Sequence, residues 1–338
     1  MSKYRIIECI RKRASRDRKR IVFPETKDSR VLQAAEIVSK EGIAHPVLVG
    51  NPQEVGSSAR SLDLSLSGVE VCEPDADARD RYAAQLLEKW RARGTTLIEA
   101  RQRLEDPVFF AAAMVAVGDA DGCVGDGPYS DFKRATELCI GPGPQTSIVS
   151  RYFLMAVPPE KDGETEALLF ADSGTVGTPS GAQLAAIAID AAANARRLLE
   201  CEPRVAFLSF SPVASLDFKS RFKSAESELH DRVRQAFQTL RVRAPGLTVD
   251  GELRTNIGPT REGADGTPAG CGANTLVFPD TEAGNLGHRL TQRLGGARAV
   301  GPVFQGLARP ANHLPPRYSS EDAVDLTAIT GLLASGTP

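Results

Sequence analysis

The stretch that most constrains the fold runs from Ala273 to Asp322 and reads ANTLVFPDTEAGNLGHRLTQRLGGARAVGPVFQGLARPANHLPPRYSSED. Thr275 to Phe278 is a short apolar run with β-branched residues, closed by Pro279 and Asp280, and predicts a buried strand. Leu286, Leu290 and Leu294 then recur at helical spacing and stop at Gly295-Gly296, a helix terminus. A second apolar strand, Ala299 to Phe304, enters a Pro/Gly/Asn-rich loop from Gly306 to Arg317. Ser319-Ser320-Glu321-Asp322 opens a last helix carrying Val324, Ile329 and Leu332. Strand, helix, strand, long loop and helix in this order put polar loop residues at strand ends, where α/β sheets hold their ligands.

The rest of the chain repeats the alternation. Arg20 to Phe23 and His45 to Val49 are strands around a helix that starts near Arg30. Val69 to Val71, helices over 77–93, 98–104 and 107–117, and a strand at 122–124 complete one α/β half. Tyr152 to Val157 and Leu168 to Phe170 read as strands joined through a polar turn. An alanine-rich helix over 182–199 follows, then strands at 204–210 and 247–250 around a charged helix over 224–244. Residues 1–20 are rich in Lys and Arg, with Ile6, Ile7 and Ile10 at helical spacing, which fits an amphipathic surface helix.

Composition removes several classes of function. The 338 residues suffice for two domains with sizeable cores, and 41% hydrophobic with 25% charged residues is ordinary globular usage. A net charge of −2 gives no general pull toward nucleic acid or an anionic membrane. No apolar run approaches the roughly 20 residues a membrane span needs. The six cysteines are scattered without a CxxC pair, and the four histidines lack metal-ligand spacing, so reduced thiols in a cytoplasmic protein are expected and no metal is.

Several blocks together resemble the phosphate acetyltransferase and phosphate butyryltransferase family. RIVFPETKDSRVLQAA is similar to its opening pattern R-I-x-x-P-E-x-x-D-x-R-x-L-x-A-A. FADSGTVGTPSGAQLAAIA is similar to F-A-D-x-x-V-x-x-x-P-x-x-x-x-L-A-x-I-A. The C-terminal run follows A-N-V-x-I-F-P, then G-P-x-x-Q-G-L-x-K-P-x-N-D-L-S-R-G-C-S-x-E-D, closely as far as Asn312. The resemblance implies two α/β/α domains with mainly parallel sheets and a cleft between them, an isocitrate-dehydrogenase-like scaffold. In the family the last helix returns to the first domain, so the expected limits are 1–146 plus 306–338, and 147–305. It also implies exchange of an acyl group between coenzyme A (CoA) and phosphate, with CoA as substrate, no cofactor, and a homodimer.

The family's roles carry over residue by residue. Asp322 matches the acid held to be the base for the CoA thiol, although Ser319 with Asp322 also has capping-box spacing, and both readings stand. Arg134 matches an active-site arginine and suits phosphate recognition; an exposed helix arginine is the other reading. Arg30, just inside a helix start, matches the arginine of P-E-x-x-D-x-R and is a candidate substrate-binding residue, against an ordinary surface position. Ser211 stands in the loop that replaces Y-S-T-K-G-S. Other positions depart from the pattern. Pro315-Pro316 replace Ser-Arg and have neither a side-chain donor nor an N–H. Tyr318 stands where cysteine is usual, His313 where aspartate is, and Gly272 where lysine precedes A-N. The family's G-A-x-H-S-x-x-D-T-L-R is the shorter GDGPYSDFKR, and an arginine expected before Gly94 falls at Trp90. Arg317 lies one residue beyond the missing arginine and could stand in for it. The departures fall in loops and spare the framework. Two readings follow: an acyltransferase on Asp322, Arg317 and Arg134, or a ligand-binding or regulatory protein on the same scaffold. A dehydrogenase is disfavoured, because neither a nucleotide fingerprint nor a paired-aspartate metal motif is found.

Overall fold

Short β-branched runs bounded by Pro, Gly or Asn form strands here because they are buried on both faces, as parallel sheets require. The computed structural model describes residues 4–91, 94–144, 146, 148–158, 166–172, 174, 176–208, 225–253 and 272–336. The chain divides into two compact units, one of residues 7–144 with 300–338 and one of 1–6 with 145–299. These limits differ by a few residues from those expected. The second crossing falls inside a single strand, where hydrophobic pattern offers no boundary.

In the unit of 7–144 with 300–338, β1 (Arg20–Phe23), β2 (His45–Val49), β3 (Glu70–Cys72), β4 (Gly122–Gly125) and β11 (Ala311–His313) form a five-stranded sheet in the order β11-β4-β1-β2-β3. Every pairing in it is parallel. Helices α2 (Ser29–Lys40) and α11 (Ser320–Ala334) pack on each other, and α11 lies on β4 and β1. Helices α4 (Ala76–Arg91), α5 (Leu97–Arg103), α6 (Pro107–Val117) and α7 (Tyr129–Cys139) build the other cluster with Val22, Val47 and Cys123. Strand alternation sorts the layers: Cys123 faces α6, and a Cβ on neighbouring Gly122 would meet Thr330 of α11 at 2.6 Å. Helix α3 (Pro52–Ser61) links β2 to β3. Helix α1 (Arg5–Ala14) buries Ile7, Ile10 and Ala14, and its Arg11 Nε donates to the buried Asp325 of α11 at 2.6 Å.

The unit of 145–299 is a second layered α/β body. Strands β5 (Ser150–Val157), β6 (Glu166–Asp172), β7 (Arg204–Leu208), β8 (Thr248–Leu253) and β9 (Thr275–Val277) form a sheet in the order β5-β6-β9-β7-β8, and β10 (Arg298–Gln305) starts in this unit and crosses into the other at Val300. Only β5 with β6 is antiparallel among the registered pairs, and the turn expected between them lies outside the described residues. Helix α8 (Gly181–Leu199) lies on β6 and β9, with α9 (Ala225–Arg243) packed outside it. Its alanines let it approach closely: Ala185, Ala188, Ala191 and Ala195 are fully buried. Helix α10 (Thr281–Gly295) covers β5 and β6 through Gly284 and His288, whose ring stacks on Phe153 at 4.0 Å. Leu286, Leu290 and Leu294 lie on its other face and are 58%, 56% and 83% exposed.

Asn312 ties the last segment down. Its Oδ1 accepts the Phe304 N–H at 2.7 Å, and its Nδ2 donates to Thr330 Oγ1 at 2.8 Å, all within buried surroundings. One side chain therefore joins β10, β11 and α11. Asn312→Ala leaves buried donor and acceptor groups unpaired and is expected to lower unfolding free energy by about 1–3 kcal/mol. Urea unfolding curves check this; an unchanged midpoint contradicts it.

Candidate active site

Three strand ends meet at one edge of the five-stranded sheet, because β11, β4 and β1 are adjacent and parallel. Glu25, just past β1, turns its carboxylate onto the backbone beyond β4. It accepts the Asp126 N–H on Oε2 and the Gly127 N–H on Oε1, each at 3.0 Å. A Cβ on Gly127 would come within 2.8 Å of Glu25 Oε1, so a side chain there would push the carboxylate from its present place. Burial pushes the Glu25 carboxyl up to about 7; the two N–H groups oppose that and the neighbouring Asp126 charge adds to it.

Asp126 is itself raised, chiefly by burial, and its Oδ2 accepts the Tyr318 hydroxyl at 2.5 Å. Arg30 joins this group. Its Nε donates to Asp28 Oδ1 at 3.0 Å, Nη2 to Asp28 Oδ2 at 2.5 Å, and Nη1 to the Tyr318 carbonyl at 3.0 Å. Its Cζ lies 3.8 Å above the Tyr318 ring, and Nη2 is 3.8 Å from Asp126 Oδ2. Asp28 also caps α2 by accepting the Arg30 N–H, and its carboxyl is held below the usual range mainly by the Arg30 guanidinium. His313 Nε2 donates to the Gly127 carbonyl at 2.7 Å, and its ring packs edge-on against Tyr129.

The segment from Pro315 to Asp322 is built rather than loose. The Leu314 N–H bonds to the Gly125 carbonyl at 2.7 Å, and the Tyr318 N–H closes a turn onto the Pro315 carbonyl at 3.1 Å. Pro316 takes the first central position of that turn, where its fixed φ is favoured. Arg317 follows at the tip, exposed and without a polar partner among the described residues. Ser319 then caps α11. Asp322 Oδ2 accepts from the Ser319 N–H and Oγ at 2.8 Å each, and the Asp322 N–H bonds to Ser319 Oγ at 3.2 Å. The capping box read in the sequence is present, and it leaves the carboxylate at the start of the helix beside the turn.

Arg134 lies on the exposed face of α7 and lines a cavity of about 410 Å³ with Thr95, Arg103, Ser130 and Lys133. It has no polar partner among the described residues. Arg103 Nη1 bonds to Thr95 Oγ1 at 3.3 Å, and its guanidinium lies 5.9 Å from the ring centre of Trp90. Trp90 is fully buried and donates to the Leu138 carbonyl, so a packed indole holds the place of the expected arginine. Ser211 lies outside the described residues. Glu25, Asp28 and Asp126 were missed in the sequence. The signal was there for Asp126: it follows Gly125 where the quoted G-A-x-H-S motif has alanine.

The family model described as phosphate acetyl/butaryl transferase matches residues 5–331. A phosphate acetyltransferase of Thermoanaerobacterium thermosaccharolyticum is 38% identical over 336 residues, covering 97% of this chain and 99% of that one. Another, of Acetivibrio thermocellus, is 38% identical over 335 residues, covering 97% and 98%. A solved phosphotransacetylase from Streptococcus pyogenes is similar with a TM-score of 0.84 and 30% identity over 99% of each chain.

The Glu25 environment has a measurable consequence. A carboxyl raised from 4.5 to about 7 binds its proton more tightly in the folded chain. Its stabilising contribution is complete below pH 4.5 and is lost as pH rises through about 7. Glu25→Gln should therefore flatten the fall in unfolding free energy between those values, relative to the wild type. Urea titrations at several pH values test it; parallel stability curves would count against the assignment.

Proposed function

Because the chain belongs to the phosphate acetyl/butaryl transferase family, we propose a distribution of roles for the exchange acyl-CoA + phosphate ⇌ acyl phosphate + CoA. The protein is a phosphate acyltransferase, and CoA enters as a substrate. The acyl group is assigned as acetyl, since the curated relatives cited above are phosphate acetyltransferases. Asp322 is assigned as the base. In the direction of acyl-CoA formation it takes the proton of the CoA thiol, and the thiolate attacks the acyl carbon. As the oxyanion collapses, the C–O bond to phosphate breaks and the proton passes to the departing phosphate.

Arg317 and Arg134 are assigned to the phosphate charge. The observation that carries this is their exposure without a partner among the described residues, while Arg30 is already engaged. Arg134 and Ser211 are proposed to bind substrate; of the other two candidates, Arg30 is held by Asp28 and the Tyr318 carbonyl, and Tyr318 is buried with its hydroxyl on Asp126. Exposed leucines along α10 support a homodimer, since burying them removes apolar area from water. A cytoplasmic location completes the reading.

The test is thiol consumption with acetyl phosphate and butyryl phosphate. The two prolines offer no donor for the developing oxyanion, and one such donor contributes ~10²–10³ in rate. Turnover should be measurable yet at least ~10²-fold below that of a relative with Ser-Arg, and the Pro315→Ser, Pro316→Arg double change should raise it. Absence of turnover with every acyl phosphate would refute the assignment. Light scattering on the same sample reads the dimer, and a monomer mass at working concentration would refute that part.

A further inference from the structure

Two departures from the family pattern meet in space. Asp126 stands where the quoted motif has alanine, and Tyr318 where it has cysteine, yet the two sit in different loops nearly two hundred positions apart. Their side chains are joined by the 2.5 Å hydrogen bond from the Tyr318 hydroxyl to Asp126 Oδ2. Neither makes sense alone. A tyrosine at 318 is only 4% exposed and needs a partner for its hydroxyl. An aspartate at 126 is flanked by Glu25 and Asp28 and needs compensation for its charge, which the tyrosine and the Arg30 guanidinium supply. His313, a third departure, holds the Gly127 carbonyl from the same side.

The consequence reaches the reacting groups along the chain. Tyr318 is the last residue of the Pro315 turn and the neighbour of Ser319, whose N–H and hydroxyl hold Asp322. Arg317 precedes it directly. A tyrosine clamped at ring, hydroxyl and carbonyl fixes both flanks. We propose that Asp126 and Tyr318 are paired positioning residues, which hold the turn carrying Arg317 and the first turn of α11 carrying Asp322 in a single arrangement. The proposal rests on the acyl-transfer reading above and deepens it. The double proline is then one half of a rebuilt loop pair whose other half is the shortened segment 126–129.

The experiment is a double-mutant cycle on the full-length protein. Asp126→Ala, Tyr318→Phe and the double variant are compared by thiol consumption with acetyl phosphate and by thermal melting. Tyr318→Phe keeps the ring under Arg30, so the fold should persist. Each single change is expected to lower kcat roughly tenfold or more with KM shifted less than about twofold, because a misplaced base slows chemistry rather than binding. The double variant should be no slower than either single one, and Asp126→Asn, which still accepts the hydroxyl, should recover most of the rate. Asp126→Ala with Tyr318→Cys, the family's own pair, should outperform either change alone. Additive losses, or changes confined to KM, would overturn the pairing. If the wild type turns nothing over, the acyl-transfer reading fails separately. The melting temperatures then decide the pairing: additive shifts refute it, and non-additive shifts support it.

Discussion

The carboxylate of Glu25 is the interaction on which the site depends. It leaves the end of β1 and accepts two successive backbone N–H groups beyond β4. Without that acceptor the Asp126 and Gly127 donors would need water or another partner. With it, Asp126 is set where the Tyr318 hydroxyl finds it, and β11 with the turn behind it is drawn to the same place. The arrangement is electrostatically demanding. Asp28 and Asp126 share the Arg30 guanidinium, Glu25 lies beside Asp126, and burial keeps the Glu25 and Asp126 carboxyls closer to neutral than exposed acids would be.

The Pro315-Pro316 pair changes meaning in this setting. As donors the prolines are losses, since neither offers an N–H or a side-chain hydrogen. As geometry they are gains, because a fixed φ suits the first central position of a turn and reduces the freedom of the unfolded loop. The turn ends on a buried tyrosine and leads into a capped helix, so the segment is held at both ends. A decayed loop would carry no such pattern of matched contacts.

Much of this was legible in the sequence. Strands β1, β2, β9 and β10 show as β-branched runs between Pro, Gly or Asn. The cap of α11 shows as Ser319 with Asp322, because capping is local chemistry. What could not be read depends on neighbours remote in sequence. The adjacency of β11, β4 and β1 brings Glu25, Asp126 and Tyr318 together, and no local period encodes it. Leu286, Leu290 and Leu294 mark α10 as a helix, but Gly284 and His288 are the residues it turns to the sheet. Small residues permit close packing without announcing it in a hydrophobic pattern. Ser211 falls outside the described residues, and the sequence supplies its only placement.

In the proposed distribution of roles, Arg317 is the cation that the Pro315 turn brings to the phosphate. The most direct measurement is the kcat/KM of Arg317→Ala for acetyl phosphate. An exposed arginine at a turn tip has no folding role to lose, so melting should be unchanged while the rate falls by roughly 10²-fold or more, the size of effect that a single transition-state contact supplies. An unchanged rate in a folded, active variant would contradict the account and move the phosphate site elsewhere.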